Sequence, residues 1–213
     1  MKHTKRTLSL LLALLCLFSL AGCATPQGDS SPSYSPVASP TLEPQSRIGE
    51  ETLQYPAEND EYKYNVYETY VEIQEYIGDA TDVAVPVMLD ELPVKVVKGF
   101  YFNKTIKNVV LPEGLVVIYN CAFDSCSSLE TINIPETVTE IGYRAFYDCT
   151  SLKSLTIPKS VTEIGSHAVG IGSGTYGGYA LLEGLVVKFY KGSAAAQYIA
   201  DTAFNIKYEI INE

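Results

Sequence analysis

Few side chains in this 213-residue chain are suited to covalent chemistry, and their spacing limits what they could do. Histidine occurs only at His3 and His167. No serine or cysteine stands at motif spacing from His167, and no HExxH, CxxC or Walker pattern is present. Counting back from His167 in steps of 23 residues meets Arg144, Cys121 and Lys98. A position that changes type at every step reads as an exposed one rather than a catalytic one. Cys121, Cys126 and Cys149 would make an incomplete zinc set, without a fourth ligand or the usual spacing. Glu140 and Glu163 are again 23 apart, and a glycosidase needs two carboxylates. On adjacent strands they would stand about 5 Å apart on one face. They read as a solvated column, with weak calcium binding as the alternative. Gly172 to Gly177 matches GxGxxG but follows no strand–helix unit, so it reads as a loop that could serve a binding site rather than a nucleotide site. These residues point to no catalytic, cofactor or metal site.

The same interval of 23 explains why such residues are spaced as they are. Phe100, Phe123, Phe146 and Val169 fall at that interval, and so do Pro112, Pro135 and Pro158. Pro86 comes 26 residues before Pro112, which places a three-residue insertion around Leu89 to Leu92. The units read VAVPVMLDELPVKVVKGF, VVLPEGLVVIYNCAF, INIPETVTEIGYRAF and LTIPKSVTEIGSHAV. In the third, Leu129, Ile132, Ile134, Val138, Ile141, Ala145 and Phe146 are the inward side chains. A single unit cannot offset the entropy of ordering its own backbone, so burial between stacked neighbours must supply the rest. Upstream, Tyr62, Tyr64 and Val66 share one parity, and Val71 and Ile73 oppose Tyr70, Glu72 and Gln74. Two alternating runs with a break near Glu68 predict a β-hairpin that covers the open end of the stack.

IPETVTEIGYRAFYDCTSLKSLTIP, its shorter copy IPKSVTEIG, the opening IGDATDVAVPVMLDELPVKVV and the terminal FYKGSAAAQYIADTAFNIKYEI resemble the BspA-like class of bacterial leucine-rich repeats. The resemblance runs from about Tyr62 to Ile211. It implies a mainly β leucine-rich-repeat solenoid: short parallel strands in a right-handed coil, an N-terminal hairpin cap, and a C-terminal cap built from Ser193 to Ala203. It also implies that a Cys or Asn column packs inside and bonds to loop backbone, a place that Asn103, Cys126 and Cys149 would fill. Disulfide geometry is poor for parallel side chains in one column, so Cys126 and Cys149 are expected as buried thiols. Members of this family are commonly surface or secreted proteins, and some bind matrix proteins or other cells.

The N-terminus fits that setting. MKHTKR is basic, TLSLLLALLCLFSL is apolar and too short to span a membrane comfortably, and Leu20-Ala21-Gly22-Cys23 resembles a bacterial lipobox. Residues 1–22 are expected to be a signal peptide and Cys23 a lipidation site, holding the chain to a membrane through acyl chains. Losing residues 1–22 removes Lys2, Lys5 and Arg6 and no acid. The 15 basic residues thus fall to 12 against 25 acidic ones, and the net charge moves from −10 to −13. Such a chain is a poor partner for nucleic acid. Residues 23–60 are rich in Pro, Ser and Thr with no period, and read as a flexible tether; residues 61–213 are left for the repeat domain.

What remains as a site is a surface. The strand before each proline should expose Asp82 and Ala84, then Asn108 and Val110, Thr131 and Asn133, Ser154 and Thr156. Asn108, Thr131, Asn133, Ser154 and Thr156 are the candidate binding face, a flat platform of small polar side chains. The expectation is an extracytoplasmic, lipid-anchored protein that recognises a protein or glycan without catalysis. The alternative is a structural or assembly component of the cell envelope.

Overall fold

Burial alternates along Tyr62–Val66, where Tyr62, Tyr64 and Val66 are buried and Lys63 is exposed. That pattern forms strand β2 (Tyr62–Val66), antiparallel to β3 (Val71–Tyr76), as the two runs predict. The structure is a computed structural model, and it describes residues 48–174, 178–202 and 204–212. The chain divides into two units, Met1–Leu42 and Glu43–Glu213, and only the second is described. The signal peptide, Cys23 and most of the expected tether lie outside the described residues.

Strand β1 (Tyr55–Glu58) pairs antiparallel with β2, with Tyr55 opposite Val66 and Glu58 opposite Lys63. Its side chains are almost all exposed, so no hydrophobic alternation announces it. Backbone pairing holds it, and Pro56 is tolerated because an edge strand does not need that missing N–H on its outer side.

The repeats supply β4 (Asp82–Ala84), β5 (Met88–Leu89), β6 (Leu92–Val97), β7 (Asn108–Val110), β8 (Val117–Ile118), β9 (Thr131–Ile132), β10 (Glu140–Ile141), β11 (Ser154–Thr156) and β12 (Glu163–Ile164). One sheet runs β1-β2-β3-β6-β8-β10-β12, parallel from β3 onward, and a second runs β4-β7-β9. The parallel strands stack as a solenoid. The three-residue insertion is a hairpin: β5 turns back on β6, and Asp90 and Glu91 take φ values of 47° and 64°. A two-residue hairpin turn of the left-handed kind requires that conformation at both positions.

A column of rings runs through the stack. Phe100 and Phe123 lie 5.0 Å apart between ring centres, and Phe123 and Phe146 5.5 Å. Tyr76 continues the column from the hairpin, stacked 5.4 Å from Phe100, so the cap joins the core rather than lying over it. Beyond the last rung come β13 (Ile171–Ser173) and β14 (Tyr179–Leu181), an antiparallel hairpin where the sequence reads as a loop; Thr175, Tyr176 and Gly177 lie outside the described residues. Then β15 (Val186–Tyr190), helix α1 (Ala194–Asp201) and β16 (Tyr208–Ile211) close the end. Ser193 caps α1 by accepting a hydrogen bond from Ala196 N, and Ala195 and Ile199 face the core. The Tyr198 hydroxyl donates to Val169 O at 3.0 Å and accepts from Val169 N at 3.1 Å. The rung that lacks a phenylalanine is thus the one whose backbone is tied to the C-terminal cap.

Candidate functional site

The structure places the expected strand face on two hydrogen-bonded ladders. On β4-β7-β9, Asn108 stands opposite Asp82 and Thr131. Asn108 Nδ2 donates to Asp82 Oδ1 at 2.5 Å, and Thr131 Oγ1 donates to Asn108 Oδ1 at 2.6 Å. Hydrogen bonds from Asn108 and Thr81 hold the Asp82 carboxyl below its ordinary range. Asn133 does not project as a free group. Its Oδ1 accepts from Leu111 N at 2.8 Å and its Nδ2 donates to Leu111 O at 3.1 Å. Strand β9 ends at Ile132, and β11 pairs with β15 in a separate ladder, β11-β15-β16. Ser154 and Thr156 are exposed there, beside Val186 and Lys188. The strand-face residues expected from the sequence thus lie on two hydrogen-bonded ladders, whose strands β9 and β11 are neighbours.

The inner column forms as expected. Cys126 Sγ donates to Phe100 O at 2.9 Å and Cys149 Sγ to Phe123 O at 3.1 Å. Asn103 Oδ1 accepts from the N–H groups of Thr105 and Ile106, both at 2.9 Å. Both cysteines are free thiols. Burial pushes Cys126 up to about 12 and Cys149 well above the ordinary thiol range, which leaves no thiolate for nucleophilic chemistry near neutral pH. Glu140 and Glu163 are register partners on β10 and β12. Burial raises the half-buried Glu140 carboxyl, and Glu163 beside it raises it further.

A second cluster was not singled out from the sequence. Each rung turns its corner through residues in the left-handed region: Cys121, Arg144 and His167 at φ 57°, 53° and 56°, then Phe102, Ser125 and Asp148 at 57°, 59° and 56°. These corners aim Arg144 and His167 to the same side, where Tyr179 of the β13–β14 hairpin meets them. His167 stacks on Tyr179 with ring centres 4.2 Å apart and meets Tyr143 edge-on at 6.2 Å. The Arg144 guanidinium carbon lies 4.2 Å from the Tyr147 ring centre, 5.4 Å from Tyr143 and 5.6 Å from Tyr179. Burial, then the charge of Arg144, lowers the His167 pKa and favours the neutral imidazole. Arg144 and His167 share a repeat position, which is legible from spacing. Tyr179 belongs to an insertion outside the repeat, so no spacing could have placed it here.

The family model for the BspA type leucine-rich repeat region matches residues 94–170, in 6 copies. Residues 94–170 are a BspA-type leucine-rich repeat region. A leucine-rich repeat protein of T. pallidum has a similar solved structure: 25% identity, 63% of this chain and 71% of that one covered, TM-score 0.50. A second, from Bacteroides capillosus ATCC 29799, is also 25% identical, with 54% of this chain and 94% of that one covered and a TM-score of 0.47. No curated protein matches the chain significantly. The BspA-type region ends at Gly170, so it contributes Tyr143, Arg144, Tyr147 and His167 to the corner, while Tyr179 comes from the segment after it.

Proposed function

We propose that this protein is a bacterial cell-surface lipoprotein, anchored through an acylated Cys23, whose leucine-rich-repeat domain recognises an extracellular protein or glycan without catalysis. The observation that supports recognition is the side-chain ladder Asp82–Asn108–Thr131, in which each polar group is held by the next. Side chains fixed in this way lose little further freedom on contact with a partner, and that loss is a main cost of binding. Exposed Ser154 and Thr156 extend the same chemistry on the second ladder.

The test is a binding screen of the protein lacking residues 1–22 against matrix proteins, mucins and envelope glycans. It is repeated with Thr131, Ser154 and Thr156 changed to lysine. Asn108 and Asn133 stay as they are, since one holds the ladder together and the other holds the Leu111 backbone. A ligand whose affinity falls about tenfold or more in the folded variant supports the strand face. Binding indifferent to the three lysines removes that face as the site. The anchor has its own test, in which cells fed labelled palmitate should label the full-length protein and not Cys23→Ala. Equal labelling of both would refute lipidation at Cys23.

The assembly reading keeps one observation in its favour. Strand β16 lies at the end of its sheet with Tyr208 56% and Ile210 44% exposed, and such an edge can pair with another chain. Concentration-dependent oligomers in sedimentation, together with an empty ligand screen, would favour it.

A further inference from the structure

The Arg144–His167 corner is short of acceptors. The chain carries a net charge of −10, yet among the described residues Arg144 makes no salt bridge; the ion pairs there belong to Lys63, Lys98, Lys107 and Lys188. A guanidinium has five N–H donors in a fixed fork. Here Nη2 donates to the Tyr179 hydroxyl over a long 3.4 Å, while the buried Nε finds no acceptor. One rung on, the buried His167 Nδ1 also has no partner. Buried polar groups of native proteins are nearly always paired, so two orphans on neighbouring rungs are a specific deficit.

The nearby acids are engaged elsewhere. Asp124 accepts from Ser125 Oγ at 2.7 Å, and burial raises its carboxyl more than Arg144 lowers it. Asp148 accepts from Ser173, at 3.2 Å from N and 3.4 Å from Oγ. The other titratable side chains around the corner are the phenols of Tyr143, Tyr147 and Tyr179.

We propose that this corner is a binding site for an oxyanion, a carboxylate or a sulfate, held by the Arg144 fork with His167 as its second donor. The site is separate from the strand face and stands whether or not that face binds anything. Guanidinium forks bind such planar or tetrahedral oxyanions through paired N–H donors, and flanking aromatic rings keep the fork oriented. The ring of Tyr179, 41% exposed, offers an apolar flank to whatever carries the anion. Binding must be linked to protonation of His167. Its imidazole is biased toward neutral by burial and by Arg144. An anion between the two offsets the repulsion from Arg144, so it raises the pH at which His167 takes up a proton. By reciprocity, acidification from pH 7.5 to 5.5 tightens anion binding.

The test follows the His167 imidazole by NMR in the protein lacking residues 1–22, where it is the only histidine. The probes are sodium sulfate and sodium glucuronate, with sodium chloride at matched ionic strength and glucose as controls. Sulfate and glucuronate should move the His167 titration to higher pH, and both should bind about tenfold more tightly at pH 5.5 than at 7.5. The controls should do neither. Glucuronate binding tighter than sulfate would assign a sugar-borne anion, and equal binding a free one. Arg144→Gln should abolish the shift, while Arg144→Lys, which keeps the charge without the fork, should retain only part of it. A His167 titration that is the same with and without sulfate overturns the proposal, as does a shift that survives Arg144→Gln in a protein with an unchanged circular dichroism spectrum.

Discussion

Replacing Phe123 by alanine should cost about 3–5 kcal/mol of folding stability, seen as a fall in the urea midpoint with an unchanged slope. Phe123 is 1% exposed and stands between Phe100 at 5.0 Å and Phe146 at 5.5 Å. Its removal deletes two stacked ring contacts and opens a cavity in the middle of the column. In a solenoid each rung is stabilised mainly by its neighbours, so a gap at the centre weakens both directions of stacking. Collapse around the gap is restricted, because the Phe123 main chain is bonded on both sides. Its N donates to Ala145 O at 2.8 Å and its O accepts from Cys149 Sγ at 3.1 Å. Phe102 is the control: 66% exposed and outside the column, it should change stability by no more than about 0.5 kcal/mol when made alanine. Equal effects from the two substitutions would show that the ring column is not what holds the rungs together.

The aromatic column was legible because a period of 23 puts one residue type at one place in every turn, and a buried place tolerates few types. The same period set Asn103, Cys126 and Cys149 in one column, whereas the cap expected from Ser193 onward came from the resemblance, and that α1 forms part of it was not foreseen. What stayed hidden was held by something other than a repeated side chain. Strand β1 is a backbone pairing of exposed residues. Asn133 is exposed as expected, yet its amide bonds to the Leu111 main chain, a contact that no periodicity announces. Glu72 lies on the outer side of β3, as alternation predicts, yet it is only 7% exposed. It pairs with Lys98 at 2.9 Å and accepts a hydrogen bond from Gln74. The corner around Arg144 needs Tyr179 from a hairpin that interrupts the period. Repetition therefore predicted the frame, while the features that distinguish this chain sit where the repetition lapses.

One such lapse yields the most severe single change expected. Counting in steps of 23, Gly99 is followed by Ala122, Ala145 and Ala168, each 0% exposed. Alanine thus fits three rungs and is missing from the first. A Cβ on Gly99 would fall on the carbonyl oxygen of Gln74, with the Gln74 carbonyl carbon and Glu75 Cα also too close. All of these are backbone atoms, so no side chain can swing aside. The other rungs meet a regular copy of themselves at this point, whereas Gly99 meets the end of β3, where the tyrosine hairpin is bonded on. Tyr76 N donates to Gly99 O at 2.9 Å, and Lys98 N donates to Ile73 O at 3.0 Å. Gly99→Ala must therefore push the hairpin away, breaking those bonds and drawing Tyr76 off Phe100. The expected loss exceeds about 4 kcal/mol, well beyond ordinary overpacking. Ala122→Gly, the reverse change one rung on, should cost only about 1 kcal/mol through backbone entropy. Urea unfolding gives the size of the effect, and limited trypsin digestion gives its place, since a displaced hairpin should be cut first at Lys63. A Gly99→Ala protein within about 1 kcal/mol of the parent and equally resistant at Lys63 would mean that the hairpin does not press on the first rung, and that glycine stands there for another reason.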